Sequence, residues 1–125
     1  MYKHIVVILL FITNYSVSTD KIYSTTLEDA VLLSESQNKP ILVIFSAEWC
    51  KPCRRLKDDI NFGKYNKELS NTIVCFVDIE DRQDLKKEYK VDSVPDSRIL
   101  VDRIEKHRIN GYNPNKYKQW LMNND

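Results

Sequence analysis

Cys50 and Cys53 stand two residues apart in the stretch Trp49-Cys50-Lys51-Pro52-Cys53, a spacing at which two thiols can close a small disulfide ring, open it or pass it on. Pro52 suits the first turn of a helix, where its missing N–H costs nothing, so Cys50 falls at a helix start. Its sulfur there meets unpaired backbone N–H groups and the positive end of the helix. Such a setting brings a thiol pKa from about 8.5 to roughly 3.5–7.5, each unit being about 1.36 kcal/mol in favour of the thiolate. Lys51, Arg54 and Arg55 push the same way. Cys50 is therefore the expected nucleophile. Cys53, one turn inward on a face shared with Leu56 and Ile60, is the expected resolving thiol.

Other chemistry is less well served. A CxxC pair is also half of a zinc site, but a structural site takes four ligands, and the remaining candidates are Cys75 and His107. Cys75 lies inside the apolar run Thr72–Val77, where a free cysteine behaves as a small hydrophobe, and His107 falls in an expected edge hairpin. No metal and no cofactor are expected. Trp49 can serve packing, yet an aromatic directly before the nucleophile is more useful as a flat, partly exposed platform for substrate. The cluster Arg54, Arg55 and Lys57 suits a solvated helix face and substrate steering equally.

The chain of 125 residues is 42% hydrophobic and 30% charged, which fits one compact domain. Nineteen basic residues against 18 acidic ones give no net charge to draw it to nucleic acid or a membrane surface. Lys3 and His4 precede the apolar run Ile5–Ile12, too short to span a bilayer and suited to the core of a secretory signal, with cleavage expected after Ser18. Residues 1–18 thus read as a signal peptide, or uncleaved as an N-terminal anchor, the only expected membrane contact. Residues 19–125 form the mature domain, with 18 basic and 18 acidic residues. The expected location is exported: periplasmic, cell-envelope or secreted. Three cysteines cannot all pair within one chain, which fits a disulfide-stapled mini-protein poorly.

Positioning the cysteines requires a scaffold, and the pattern supplies one. Ile22-Tyr23 suits a short strand, and Thr25 with Glu28 reads as a capping box opening a helix that Asn38-Lys39-Pro40 stops. Ile41–Phe45 reads as a strand buried on both faces. The cysteine helix follows to Gly63, with one or two further helical turns suggested by Tyr65 and Leu69. Thr72–Val77 is a second buried strand and Asp81–Tyr89 a third helix. Ile99–Val101 pairs with Lys106–Ile109 across a turn at 102–105, and Asn113-Pro114 opens a last helix with the stripe Tyr117, Trp120 and Leu121. The order predicts three parallel strands and an antiparallel hairpin, an α/β mixed central sheet with helices on both faces.

Ala47-Glu48-Trp49-Cys50-Lys51-Pro52-Cys53 after a buried strand resembles the active-site segment of the thioredoxin family. The resemblance covers about residues 21–122 and extends to Val94-Pro95, in the place of the family's cis-proline, and to Gly111. It implies a thioredoxin-like fold and thiol-disulfide exchange, with Val94 and Pro95 packed beside the cysteine pair and lending backbone hydrogen bonds to substrate. Partners would be protein or small-molecule thiols and disulfides, and a redox partner. Lys39-Pro40 and the break at Gly63 look closest to exported domains such as the C-terminal domain of the membrane thiol:disulfide interchange proteins. The dipeptide Lys51-Pro52 lies nearer the family's reducing Gly-Pro than an oxidant's Pro-His, on a scale running from about −270 to about −120 mV, so a reductant or isomerase-like protein is expected.

Three departures stand out. Ile44 occupies the position where many members carry a buried aspartate that helps deprotonate the inner cysteine, so slower resolution is expected. Asp96 follows the proline where threonine is usual, placing a negative charge near the substrate groove. Asp58 replaces a helix-kinking proline. The competing reading is a thioredoxin-fold binding or assembly module whose cysteines are dispensable.

Overall fold

A computed structural model describes residues 23–24 and 26–124; the expected signal or anchor segment, residues 1–18, lies outside them. The elements run β1 (Tyr23–Ser24), α1 (Leu27–Gln37), β2 (Ile41–Ser46), α2 (Lys51–Asn61), β3 (Ile73–Asp78), α3 (Gln83–Glu88), β4 (Asp96–Val101), β5 (Ile104–Asn110) and α4 (Pro114–Met122). They form a five-stranded sheet in the order β1-β3-β2-β4-β5. β1 and β2 flank β3 in parallel, while β4 runs antiparallel to both β2 and β5. The mixed sheet expected from the sequence is present. Among the described residues no helix is long and apolar enough to cross a membrane.

Strand alternation divides the core in two. Ile41, Val43 and Phe45 pack with Ile73, Cys75 and Val77 against Leu27 and Ala30 of α1 and Leu85 of α3. Leu42, Ile44 and Val74 pack on the other face with Leu56 and Ile60 of α2 and Tyr117 and Leu121 of α4. β2, with five successive buried residues, belongs to both halves and carries the chain straight to the cysteines.

Local chemistry moved several boundaries. α1 is capped by Thr26, whose hydroxyl accepts from the Asp29 N–H, so the cap sits one residue later than the Thr25/Glu28 pairing predicted. Glu28 instead receives the Arg82 guanidinium at 2.6 Å. After α2, Gly63 takes φ +92°, and 63–71 winds as hydrogen-bonded turns rather than as the expected helical turns; Tyr65 and Leu69 are nonetheless buried. The hairpin turn is shorter than expected. Val101 pairs with Ile104, leaving Asp102 and Arg103 at φ 51° and 66°, the twist that suits a two-residue turn. Arg103 then reaches Glu35 of α1 at 2.6 Å, pinning the turn to the helix layer.

Candidate functional site

The end of β2 delivers Ala47-Glu48-Trp49 to the cysteines. The Cys50 N–H donates to the Ala47 carbonyl at 3.1 Å, and the Cys50 carbonyl receives the Arg54 N–H at 3.1 Å. Cys50 is the N-cap of α2, with Pro52 in its first turn. The two cysteines are joined as a disulfide with their Cα atoms 5.2 Å apart. Both are buried, at 5% and 3% exposure.

Sulfur electrostatics follow from the cap. The Cys53 N–H donates to Cys50 Sγ at 3.3 Å, one of the orphan donors that the first turn of a helix must place somewhere. An amide dipole aimed at a sulfur favours the anion there once the disulfide is reduced. The other side of the same sulfur faces the Val94 carbonyl oxygen at 3.7 Å. The Val94-Pro95 peptide bond is cis. Pro95 is buried, and its carbonyl accepts from the Gly111 N–H at 2.8 Å. Cys50, Cys53, Val94 and Pro95 are thus brought together from two parts of the chain.

The supporting residues divide. Trp49 is 67% exposed, and its indole N–H donates to Glu80 at 3.1 Å, which fixes the ring as a surface beside Cys50. Lys51 and Pro52 are exposed at the start of α2. Arg54 spends its guanidinium on the Glu48 carbonyl, bracing the loop before the nucleophile. Glu80 carried no signal in the sequence, because only the fold places the end of β3 beside Trp49.

Two of the departures from the family pattern lie in the core. Ile44 packs on the α2/α4 face with Leu56 and Ile60, whereas Cys53 packs with the opposite cluster, beside Ala47, Val77 and Ile79. The helical face shared by Cys53, Leu56 and Ile60 thus reaches both core halves. Asp96, expected to add charge to the groove, is fully buried and held by Arg98 and Arg108. Alternation along β4 turns it into the sheet face rather than toward substrate.

Cys75 is fully buried, and desolvation pushes its thiol up to about 12, which keeps it neutral and unreactive. His107 is exposed on β5. Behind α2, the Tyr112 hydroxyl donates to Asp59. Tyr65 lies 2.7 Å from the Tyr112 oxygen. With the Tyr112 proton committed to Asp59, Tyr65 is the donor of that second bond.

The thioredoxin family model matches residues 18–123. Thioredoxin of Rickettsia bellii is 30% identical over 108 residues, covering 85% of this chain and 94% of that protein. Thioredoxin of Mycoplasma pneumoniae is 30% identical over 79 residues, covering 63% of this chain and 76% of that one. The X-ray structure of Fasciola hepatica thioredoxin superposes with a TM-score of 0.70 at 24% identity, covering 83% of this chain and 99% of that one.

Proposed function

The chain belongs to the thioredoxin family and is a protein thiol-disulfide oxidoreductase; from that premise we propose that it works outside the cytoplasm as a reductant or isomerase-like protein, with Cys50 attacking and Cys53 resolving. The observation that carries the assignment of roles is the asymmetry of the pair. Cys50 Sγ receives an amide N–H at 3.3 Å at the helix cap, while Cys53 sits a turn inside, 3% exposed.

Exchange then runs in two displacements. The Cys50 thiolate attacks one sulfur of a partner disulfide, forming a Cys50–partner bond while the other partner sulfur leaves with the electron pair and takes up a proton. The Cys53 thiolate next attacks Cys50 Sγ, closing the intramolecular disulfide and releasing the second partner thiol. Two electrons have passed to the partner, and a dithiol of some electron donor must return them. The cap amide stabilises the Cys50 thiolate that begins the first step; in the second, Cys50 Sγ is the sulfur attacked and the partner sulfur leaves with the electron pair. Trp49 and the Val94-Pro95 loop offer the two walls between which a partner disulfide lies.

Export rests on the sequence: Lys3, His4 and the run Ile5–Ile12 ahead of Ser16 and Ser18. The membrane thiol:disulfide interchange domains remain the proposed subtype. Two measurements test the proposal. Intact mass of protein from the envelope or medium is expected to start close to Thr19, and a retained Met1 in a membrane-free exported fraction overturns cleavage. Equilibration against glutathione buffers is expected to place the Cys50/Cys53 couple toward the reducing end, and a couple as oxidising as about −120 mV overturns the direction. A biological role that survives Cys50→Ser with Cys53→Ser gives the ground to the binding-module reading.

A further inference from the structure

Asp96 stands one residue after Pro95, at the first position of β4. Its side chain is 0% exposed, and both oxygens are taken twice. Arg98 donates Nε to Oδ1 at 3.2 Å and Nη2 to Oδ2 at 3.0 Å; Arg108 donates Nε to Oδ1 at 3.1 Å and Nη2 to Oδ2 at 2.6 Å. Arg98 and Arg108 are direct cross-strand partners on β4 and β5. Two like charges opposite one another destabilise a sheet, so the carboxylate between them is what allows the pairing. Arg98 is further fixed by Glu105 at 3.0 Å and lies over the rings of Phe45 and Tyr89 at 5.2 and 5.5 Å. Phe45 belongs to the same cluster as Cys50 and Cys53.

Apolar residues of similar volume commonly match or exceed a buried ion pair in stability, so stability alone does not account for this one. Its effect is geometric. A carboxylate gripped by two planar forks has little freedom, and the residue it belongs to is bonded to Pro95. We propose that the Arg98–Asp96–Arg108 clamp is the positioning device of the substrate loop, holding Val94 at its distance from Cys50, and that Arg108 is its adjustable arm. Arg108 reaches in from the edge strand with its side chain 36% exposed, against 5% for Arg98. The proposal rests on the exchange reading above, because it assigns the loop to binding a partner disulfide.

The test uses Arg108→Met and Arg108→Lys, substitutions at a half-exposed position that the fold tolerates. With insulin as a protein disulfide, Arg108→Met, which removes both hydrogen bonds from Arg108 to Asp96, is expected to raise KM about tenfold with kcat within about twofold. Reduction of hydroxyethyl disulfide, too small to lean on the loop, is expected to stay unchanged, and Arg108→Lys is expected to recover part of the insulin KM. Hydrogen exchange at the Val94 amide is expected to quicken, with Val43 and Cys75 unaffected. An unchanged insulin KM, an equal fall for both substrates, or a KM change with no change at Val94 overturns the clamp. If the unmodified protein reduces neither disulfide, the exchange reading has failed, and Val94 exchange alone then decides the clamp.

Discussion

Cys50 Sγ sits between two backbone groups of opposite polarity, the Cys53 N–H at 3.3 Å and the Val94 carbonyl at 3.7 Å. The amide favours the thiolate, and the carbonyl favours a protonated thiol, which can donate to it.

Cys53→Ser is expected to convert the protein into a covalent trap. Capture needs only Cys50 at the helix cap, whereas release needs a second thiolate within reach. Cells expressing the variant should accumulate reducible adducts through Cys50, and mass spectrometry of those adducts identifies the partners. Cys50→Ser should give none. Adducts formed equally through Cys75 would overturn the assignment of roles.

Cys75 should govern part of the alkaline limit of stability. Burial raises its thiol to about 12 from an ordinary value of 9.0, so the folded chain keeps a proton that the unfolded chain gives up. Stability present below about pH 9 is then lost at up to about 1.4 kcal/mol per unit as pH climbs toward 12. Urea unfolding of Cys75→Val at pH 8 and pH 10.5 should show a smaller decline than the unsubstituted protein. An identical decline would remove Cys75 from the account.

Ile44→Asp is expected to speed the release of mixed disulfides at the expense of stability. The new carboxyl would enter the cluster of Leu42, Leu56 and Ile60, where burial favours its neutral form. Its folded pKa would then exceed the unfolded value, so the penalty grows by up to about 1.4 kcal/mol per pH unit above roughly pH 4. Denaturation at pH 5 and pH 7 measures this. Mixed-disulfide release is expected to quicken, the new carboxyl serving as a base toward Cys53; unchanged release in a folded variant would remove position 44 from the mechanism.

Tyr112→Phe removes the hydroxyl that donates to Asp59 and accepts from Tyr65, at an expected cost of about 1–3 kcal/mol, since a part-buried carboxylate loses its donor. Disulfide exchange by Cys50 should persist. The midpoint of urea unfolding reports the loss, and an unchanged midpoint would mean that water replaces the hydroxyl without cost.

Much of this was legible before any coordinates. The five apolar residues of β2, Pro52 two positions after Cys50 and the stripe Leu56–Ile60 each specify local structure by short-range rules, and those rules held. What could not be read were relations between distant residues. Glu80 meets Trp49 across 31 positions, and Arg108 meets Asp96 across 12, with no periodicity to announce either. Asp96 misled because a charge beside a proline reads as exposed until the strand alternation and its two arginines are known. The burial of Ile44 was legible in the run Ile41–Phe45; the cluster it joins with Leu56 and Ile60 was not.

Among the described residues β5 closes one side of the sheet with nothing hydrogen-bonded beyond it, and its sequence Ile104-Glu105-Lys106-His107-Arg108-Ile109-Asn110 carries charge through the middle. An open strand edge is a template for another chain. Here a second copy laid along it would bring Lys106 and Arg108 against their own kind, and the slip between Ile99 and Leu100 breaks the flat ladder that stacking requires. The same strand that supplies an arm to Asp96 therefore also protects the molecule from self-association into fibrils, and replacing Lys106 and Arg108 together by threonine would remove both safeguards of charge while leaving an extended, β-prone edge exposed.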